Sequence, residues 1–237
     1  MLTLLKKTYR RKGALATLSG GLRTAAYYVG TVPAYFLSRY MKRPAWFEFN
    51  GDRLHYFYHP YHATWMNERA VEIPIVRTHL RRQGRVLEVG NVLKHYEPIK
   101  HEVLDKYENA SGVINQDVID YNPSNLYDLI ISISTIEHVG WDETPRDATK
   151  IIVAIRHLRS MLAPSGILIV TLPVGYNPNL DELLDKGELT FTHVYCMKRI
   201  SRLNHWVQTD WSVVRDSKYG HPFPAANALV VGIASGL

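Results

Sequence analysis

The residues most able to do chemistry in this chain of 237 residues are scattered, so their roles depend on what brings them together. His138 follows Glu137 directly. An imidazole has an ordinary pKa close to neutral and suits general-base work, whereas the pair could equally hold a loop or a helix start. His55, His59 and His62 are spaced by four and three residues, which would suit a helix face. Pro60 and the alternating aromatics around them argue for extended chain, where the three need not converge on a metal. No metal is expected, and His59 is kept as a candidate acceptor contact. Cys196 is the only cysteine and cannot supply a disulfide framework or a cysteine zinc cluster, so a reducing, cytoplasmic setting and a packing role are expected.

These residues need elements to position them. Asn50-Gly51 between Phe47, Phe49 and Leu54, Tyr56 reads as a tight hairpin turn. Glu68 to Gln83 has a helical apolar period despite Pro74. From Arg85 onward, short apolar runs alternate with helical stretches: one ends at Gly90, others precede Asp105 and Asp117, and a β-branched run covers Tyr127 to Ile133. A helix to Leu162, a Pro-Ser-Gly turn and a run from Ile167 to Leu172 follow. Strands alternating with helices predict an α/β fold with a parallel sheet, whose ligands bind at the carboxyl ends of the strands. Trp206 to Val214 and Ala228 to Ala234 read as the last two strands, with Tyr219 to Pro224 turning between them. The organisation expected is a basic arm over 1–45, an aromatic and His-rich hairpin with a lead-in helix over 46–82, and the main domain over 83–237.

The order VLEVG, Asp105, INQDV, YDLIISISTIEHV and IRHLRSMLAPSGILIVTLP resembles the class I S-adenosylmethionine-dependent methyltransferases. The similarity covers about Arg69 to Leu237, and within the superfamily it is to a microbial subgroup with Asn after the motif Gly. It implies a Rossmann-like three-layer sandwich, with a mostly parallel seven-stranded sheet ending in an antiparallel hairpin. It also implies S-adenosylmethionine as cofactor. Glu88 and Gly90 match the motif passing the methionine part of that cofactor, Asp105 the ribose position, Asp117 and Val118 the adenine position, and Ser134 and Thr135 the positions facing the methyl group. Read singly, Glu88 could be an edge carboxylate, Asp105 a partner for Lys106, and Asp117 a turn cap. The sequence departs from the pattern where relatives place a second Gly: Asn91 tolerates left-handed backbone and is expected to replace it in part, whereas β-branched Val92 cannot.

Methyl transfer needs an aligned acceptor and, for a hydroxyl, a base, for which His138 is the candidate. Trp141, Tyr176 and Asn177 are candidate walls of the acceptor pocket, because aromatic faces with amides hold sugar rings. A small molecule or a hydroxyl on a glycan or glycolipid precursor is the favoured acceptor. Two other readings stand beside this one: a non-catalytic binding or scaffold protein of the same fold, and a nucleic-acid methyltransferase. The latter lacks an Asn/Asp-Pro-Pro-aromatic motif and the two cysteines of cytosine chemistry.

Residues 1–43 hold nine of the 28 basic residues and none of the 22 acidic ones, so the rest of the chain is mildly acidic. The uncharged stretch Thr24 to Ser38 is shorter than the roughly 20 residues of a spanning helix. Contact with an anionic membrane surface is the favoured role of this arm, which would make the protein cytoplasmic and peripheral. A targeting peptide, a polyanion-binding arm and a solvated extension are the alternatives.

Overall fold

A computed structural model describes residues 45–80, 84–189 and 191–236. The arm, with Thr24 to Ser38, lies outside the described residues. Residues 44–237 form one compact unit.

The main sheet grows from its most apolar segment. β6 (Tyr127–Ile133) is covered on both faces, consistent with its unbroken β-branched run. It pairs in parallel with β3 (Val86–Val89) on one side and β7 (Leu162–Pro173) on the other. β4 (Glu102–Leu104) and β5 (Val113–Ile114) continue the parallel part beyond β3. On the far side β10 (Ala228–Ser235) inserts antiparallel between β7 and β8 (His193–Arg199), and β9 (Trp206–Thr209) closes that edge. The strand order β5-β4-β3-β6-β7-β10-β8-β9 makes a Rossmann-like, mostly parallel sheet with an antiparallel end.

Three details differ from the sequence reading. The sheet has eight strands rather than seven, because β9 adds an edge. The strand anticipated from Trp206 to Val214 stops at Thr209, and a short helix, Trp211–Val214, takes up the rest after Asp210; β10 pairs instead with β8. The Pro-Ser-Gly segment is no turn. It lies within β7 as an irregularity in the pairing, where Tyr127 faces Leu162 but Leu129 faces Ile167.

Helices cover both faces, giving three layers. On one face α2 (Lys150–Ser160) presents Ile151, Ala154, Ile155 and Leu158 at helical spacing, and α3 (Pro178–Asp185) adds Leu180. On the other, α1 (Arg69–His79) packs with the hairpin β1 (Trp46–Phe49) and β2 (Asp52–His55). The hairpin turn has Asn50 and Gly51 at φ 51° and 84°, the left-handed pair that a two-residue loop requires.

α1 runs on through Pro74, which has no N–H to bond four residues back. The carbonyl it leaves open, that of Ala70, accepts from the Phe57 N–H at 2.9 Å. The proline is thus tolerated because the chain after the hairpin supplies the missing donor.

Candidate active site

A cavity of about 530 Å³ opens at the carboxyl ends of β3, β4, β5 and β6. Of the eight residues nominated for the cofactor, seven line it: Gly90, Asn91, Asp105, Asp117, Val118, Ser134 and Thr135; His138 lines it too. Tyr61, His62, Arg69, His95 and Tyr96 complete the wall from the segments before β3 and after it. Among the described residues, no three His, Cys, Asp or Glu side chains are grouped to hold a metal ion.

Glu88 is the exception. It is fully buried, and its Oε1 accepts from the Val92 and Leu93 N–H groups at 2.9 and 2.8 Å, while Oε2 meets His101 Nε2 at 2.8 Å. Its carboxylate shapes the loop from below and does not reach the cavity. That construction also removes the need for a second glycine. Gly90 alone takes the left-handed backbone, at φ 88°, and a Cβ there would sit 2.1 Å from Thr135 Oγ1. Asn91 does not adopt the left-handed backbone expected of it, and Val92 turns at φ −97° into a short 3-10 turn that a β-branched residue accepts.

Asp105 closes the next loop. Its Oδ1 accepts from the Tyr107 and Glu108 N–H groups, both at 2.8 Å, and its Oδ2 from the Asn91 N–H at 3.2 Å. Glu108, which the sequence reading missed, lines the cavity beside it and accepts from Asn91 Nδ2 at 2.8 Å. Asn91 Oδ1 is buried without a hydrogen-bond partner among the described residues, an acceptor on a cavity-lining residue awaiting a donor.

Asp117 belongs to a four-ion cluster. Lys106 and Lys150 reach its Oδ2 at 2.7 and 2.6 Å, and the same ammonium groups meet Glu143 Oε2 at 3.3 and 2.6 Å. Burial raises the Asp117 pKa, but the hydrogen bonds from the two lysines outweigh it and bring the carboxyl down to about 2. Oδ1 accepts from the Ile119 N–H at 3.2 Å. Of the roughly four acceptor positions of a carboxylate, one is left for a ligand.

The amino end of α1 supplies a second cluster, which the sequence reading also missed. Arg69 donates to Glu72 Oε2 at 2.6 Å, and the other oxygen of Glu72 accepts from Thr171 Oγ1 at 2.7 Å and from Ser134 Oγ. Glu68 accepts from the Ala226 N–H at 3.0 Å. Burial opposes the charge on Arg69, yet the Glu72, Glu68 and Glu137 carboxyls more than offset it. The signal was present: Glu68, Arg69 and Glu72 are three charges on one helical face at spacing i, i+1, i+4, next to apolar Val71 and Ile73.

Beyond β6, His138 Nδ1 meets Asp142 Oδ2 at 2.6 Å, and Tyr176 donates its hydroxyl to the same oxygen at 2.7 Å. An ionised carboxylate only accepts, so Nδ1 carries the proton and Nε2 keeps its lone pair. Burial raises the Asp142 pKa, but the Tyr176 and His138 bonds lower it more, which keeps the carboxylate ionised.

The four nominated acceptor residues do not line the cavity. Tyr176 is nearest, edge-on to the His138 ring at 4.8 Å. Trp141 lies under the Arg146 guanidinium, 4.0 Å from its ring centroid. Asn177 is buried as the N-cap of α3, accepting from the Asn179 and Leu180 N–H groups and donating to the Glu137 carbonyl. His59 accepts from the Tyr61 N–H and stacks on Phe57. Asn177 and His59 are therefore corrected to structural parts, because their polar atoms are spent on backbone groups. Cys196 is buried, and burial pushes its thiol up to about 11, which leaves it no nucleophilic role near neutrality.

No protein-family profile and no curated protein matches this chain. Among solved structures it is similar to the N-methyltransferase NodS from Bradyrhizobium japonicum in complex with S-adenosyl-L-homocysteine. That match has 13% identity over 64% of this chain and 77% of that one, at a TM-score of 0.39. A TehB-like methyltransferase from Corynebacterium glutamicum matches at 14% identity over 70% and 87%, with a TM-score of 0.43. A possible histamine N-methyltransferase from Thermotoga maritima matches at 12% over 68% and 85%, with a TM-score of 0.41. Likenesses at these scores carry no weight for the chemistry, which rests on this chain's own residues.

The residues present fit S-adenosylmethionine. The cavity offers a cation, Arg69, for an amino-acid carboxylate; acceptors on Asp105, Glu108 and Asn91 for sugar hydroxyls or amine hydrogens; and Val118 with the remaining Asp117 site for a purine.

Proposed function

We propose that the chain is a class I S-adenosylmethionine-dependent methyltransferase. The observation that carries this reading is the placing of Gly90, Asp105, Asp117 and Ser134, four residues far apart in sequence, around one cavity at the carboxyl ends of adjacent parallel strands. In this reading Arg69, held by Glu72, takes the methionine carboxylate. Asp105 and Glu108 share the ribose hydroxyls, because the three amide bonds already on Asp105 leave it too few lone pairs for both. The adenine lies against Val118, with its amine on the free Asp117 position. The bound cofactor supplies a methyl group on positively charged sulfur.

The protein's part is then to align the acceptor and remove its proton. His138 acts as general base through Nε2, oriented by Asp142. This base serves a hydroxyl or an amine on a small molecule; a glycan hydroxyl draws support from Tyr176 alone once Asn177 is assigned to capping. Titration calorimetry with S-adenosyl-L-homocysteine tests the reading. Saturable binding, weakened by Arg69→Ala, is expected, and no binding at millimolar ligand would end it.

We further propose that residues 1–43 hold the enzyme near an anionic membrane surface. No described helix is long and apolar enough to cross a membrane. Support comes from the one-sided charge of the arm alone. The intact chain should sediment with anionic liposomes at low salt, and indifference to them removes this part.

A further inference from the structure

We propose that the acceptor is an amine, received as its ammonium by the Glu137 carboxyl beside the rings of Tyr176 and Tyr219. The inference rests on the methyl-transfer reading and deepens it. Glu137 is 2% exposed, and its Oε2 has no hydrogen-bond partner among the described residues. The other oxygen lies 3.6 Å from His138 Nε2, the nitrogen left free by Asp142. The residue is held in place through its backbone: its carbonyl accepts from Asn177 Nδ2 at 2.8 Å. A buried carboxyl oxygen with no donor is unfavourable by about 1–3 kcal/mol, so it calls for a partner that arrives with the ligand.

The surroundings say which charge that partner carries. Glu68, Glu72 and Glu137 act on one another and on a single guanidinium, Arg69, whose hydrogen bond goes to Glu72. Three carboxyls to one cation leave the group short of positive charge. Burial, with the Glu72 and Glu68 carboxyls, holds the Glu137 carboxyl well above its ordinary range, against the lowering by its own backbone and Arg69. Two aromatic rings stand next to it: Tyr176 lies 4.8 Å from the His138 ring and 5.2 Å from that of Tyr219. Ring faces attract cations. A neutral hydroxyl would supply a donor but leave the charge deficit in place, whereas an ammonium supplies both.

The step balances. The bound ammonium gives one proton to His138 Nε2, and the nitrogen lone pair so exposed forms the new N–C bond to the methyl carbon as the C–S bond breaks, its electron pair going to sulfur. A methylated ammonium and a neutral thioether result, and the imidazolium returns its proton to solvent. Glu137 holds the cation before and after transfer.

The test uses the full chain loaded with S-adenosyl-L-homocysteine, titrated calorimetrically at neutral pH with benzylamine and with benzyl alcohol. Benzylamine is expected to bind more tightly by about tenfold or more. Glu137→Gln should bring the two ligands within about twofold of each other while leaving the homocysteine affinity unchanged. Equal affinities, a tighter alcohol, no binding of benzylamine, or a preference that survives in Glu137→Gln each overturn the proposal. The wild-type comparison decides by itself should the variant not fold. Failure of S-adenosyl-L-homocysteine to bind would instead remove the methyl-transfer reading, and this inference with it.

Discussion

Asp142 and His138 are joined by a 2.6 Å contact between Oδ2 and Nδ1, which fixes both the tautomer and the direction of the ring. Asp142→Asn keeps a polar group of the same shape but can offer its amide N–H to Nδ1, which moves the ring proton to Nε2 and removes the base. Methyl transfer at saturating ligand should fall by about 10² or more, the usual contribution of a general base, with little change in cofactor affinity. Single-turnover kinetics beside calorimetry check this; an equal loss in both would assign Asp142 to folding.

Asp105 ties three backbone amides as well as facing the cavity. Asp105→Ala should therefore lower both cofactor affinity and stability, the latter by about 1–3 kcal/mol as buried donors lose their acceptor. Asp105→Asn, which keeps one acceptor oxygen, should recover much of the stability but not the affinity. Thermal melts with and without S-adenosyl-L-homocysteine separate the two effects, and wild-type affinity in Asp105→Asn would remove the ribose assignment.

Acid should loosen the four-ion cluster. The folded-state pKa of Asp117 is depressed to about 2 from its ordinary 3.8, so its contribution is present above pH 4 and is lost as pH falls through that interval. Asp117→Asn should then be less stable than the parent at neutral pH, and the difference should shrink towards pH 2. Urea unfolding across that range reads the convergence directly.

Asp181 behaves in the opposite sense. Burial raises its folded pKa to about 6, against the lowering by the Gly175 N–H, so the stability linked to its protonated form is full below pH 4 and declines as pH rises through 6. Asp181→Asn, which keeps an acceptor for Gly175, should gain stability relative to the parent at pH 7 and little at pH 4. Parallel melts at the two pH values decide.

Much of the architecture is legible locally. The unbroken apolar run of β6 can only be a strand covered on both faces, and Gly90 marks the single left-handed residue of its loop. Asp105 and Asp117 follow their strands closely, so strand order alone carries them to the cavity. What escaped depends on partners distant in sequence. Lys150 reaches Asp117 from 33 residues away, and Thr171 reaches Glu72 from 99. Glu88 reads as a ligand contact in one dimension, and only the fold of the following loop turns it inward. At Trp206 to Val214 the apolar pattern continues across Asp210, where the chain leaves the sheet edge and begins a helical turn.

The carbonyl of Ala70 that Pro74 leaves open has a consequence for alignment. Within α1 it is the acceptor set free by the proline, and the Phe57 N–H fills it. If the helix slid by one residue along the neighbouring chain, that donor would face a carbonyl already engaged, and Ala70 would be stranded in the core. The proline therefore works as a dowel between two segments. It fixes the axial setting of the helix that carries Arg69 and Glu72, and so the depth at which a guanidinium stands over the mouth of β6.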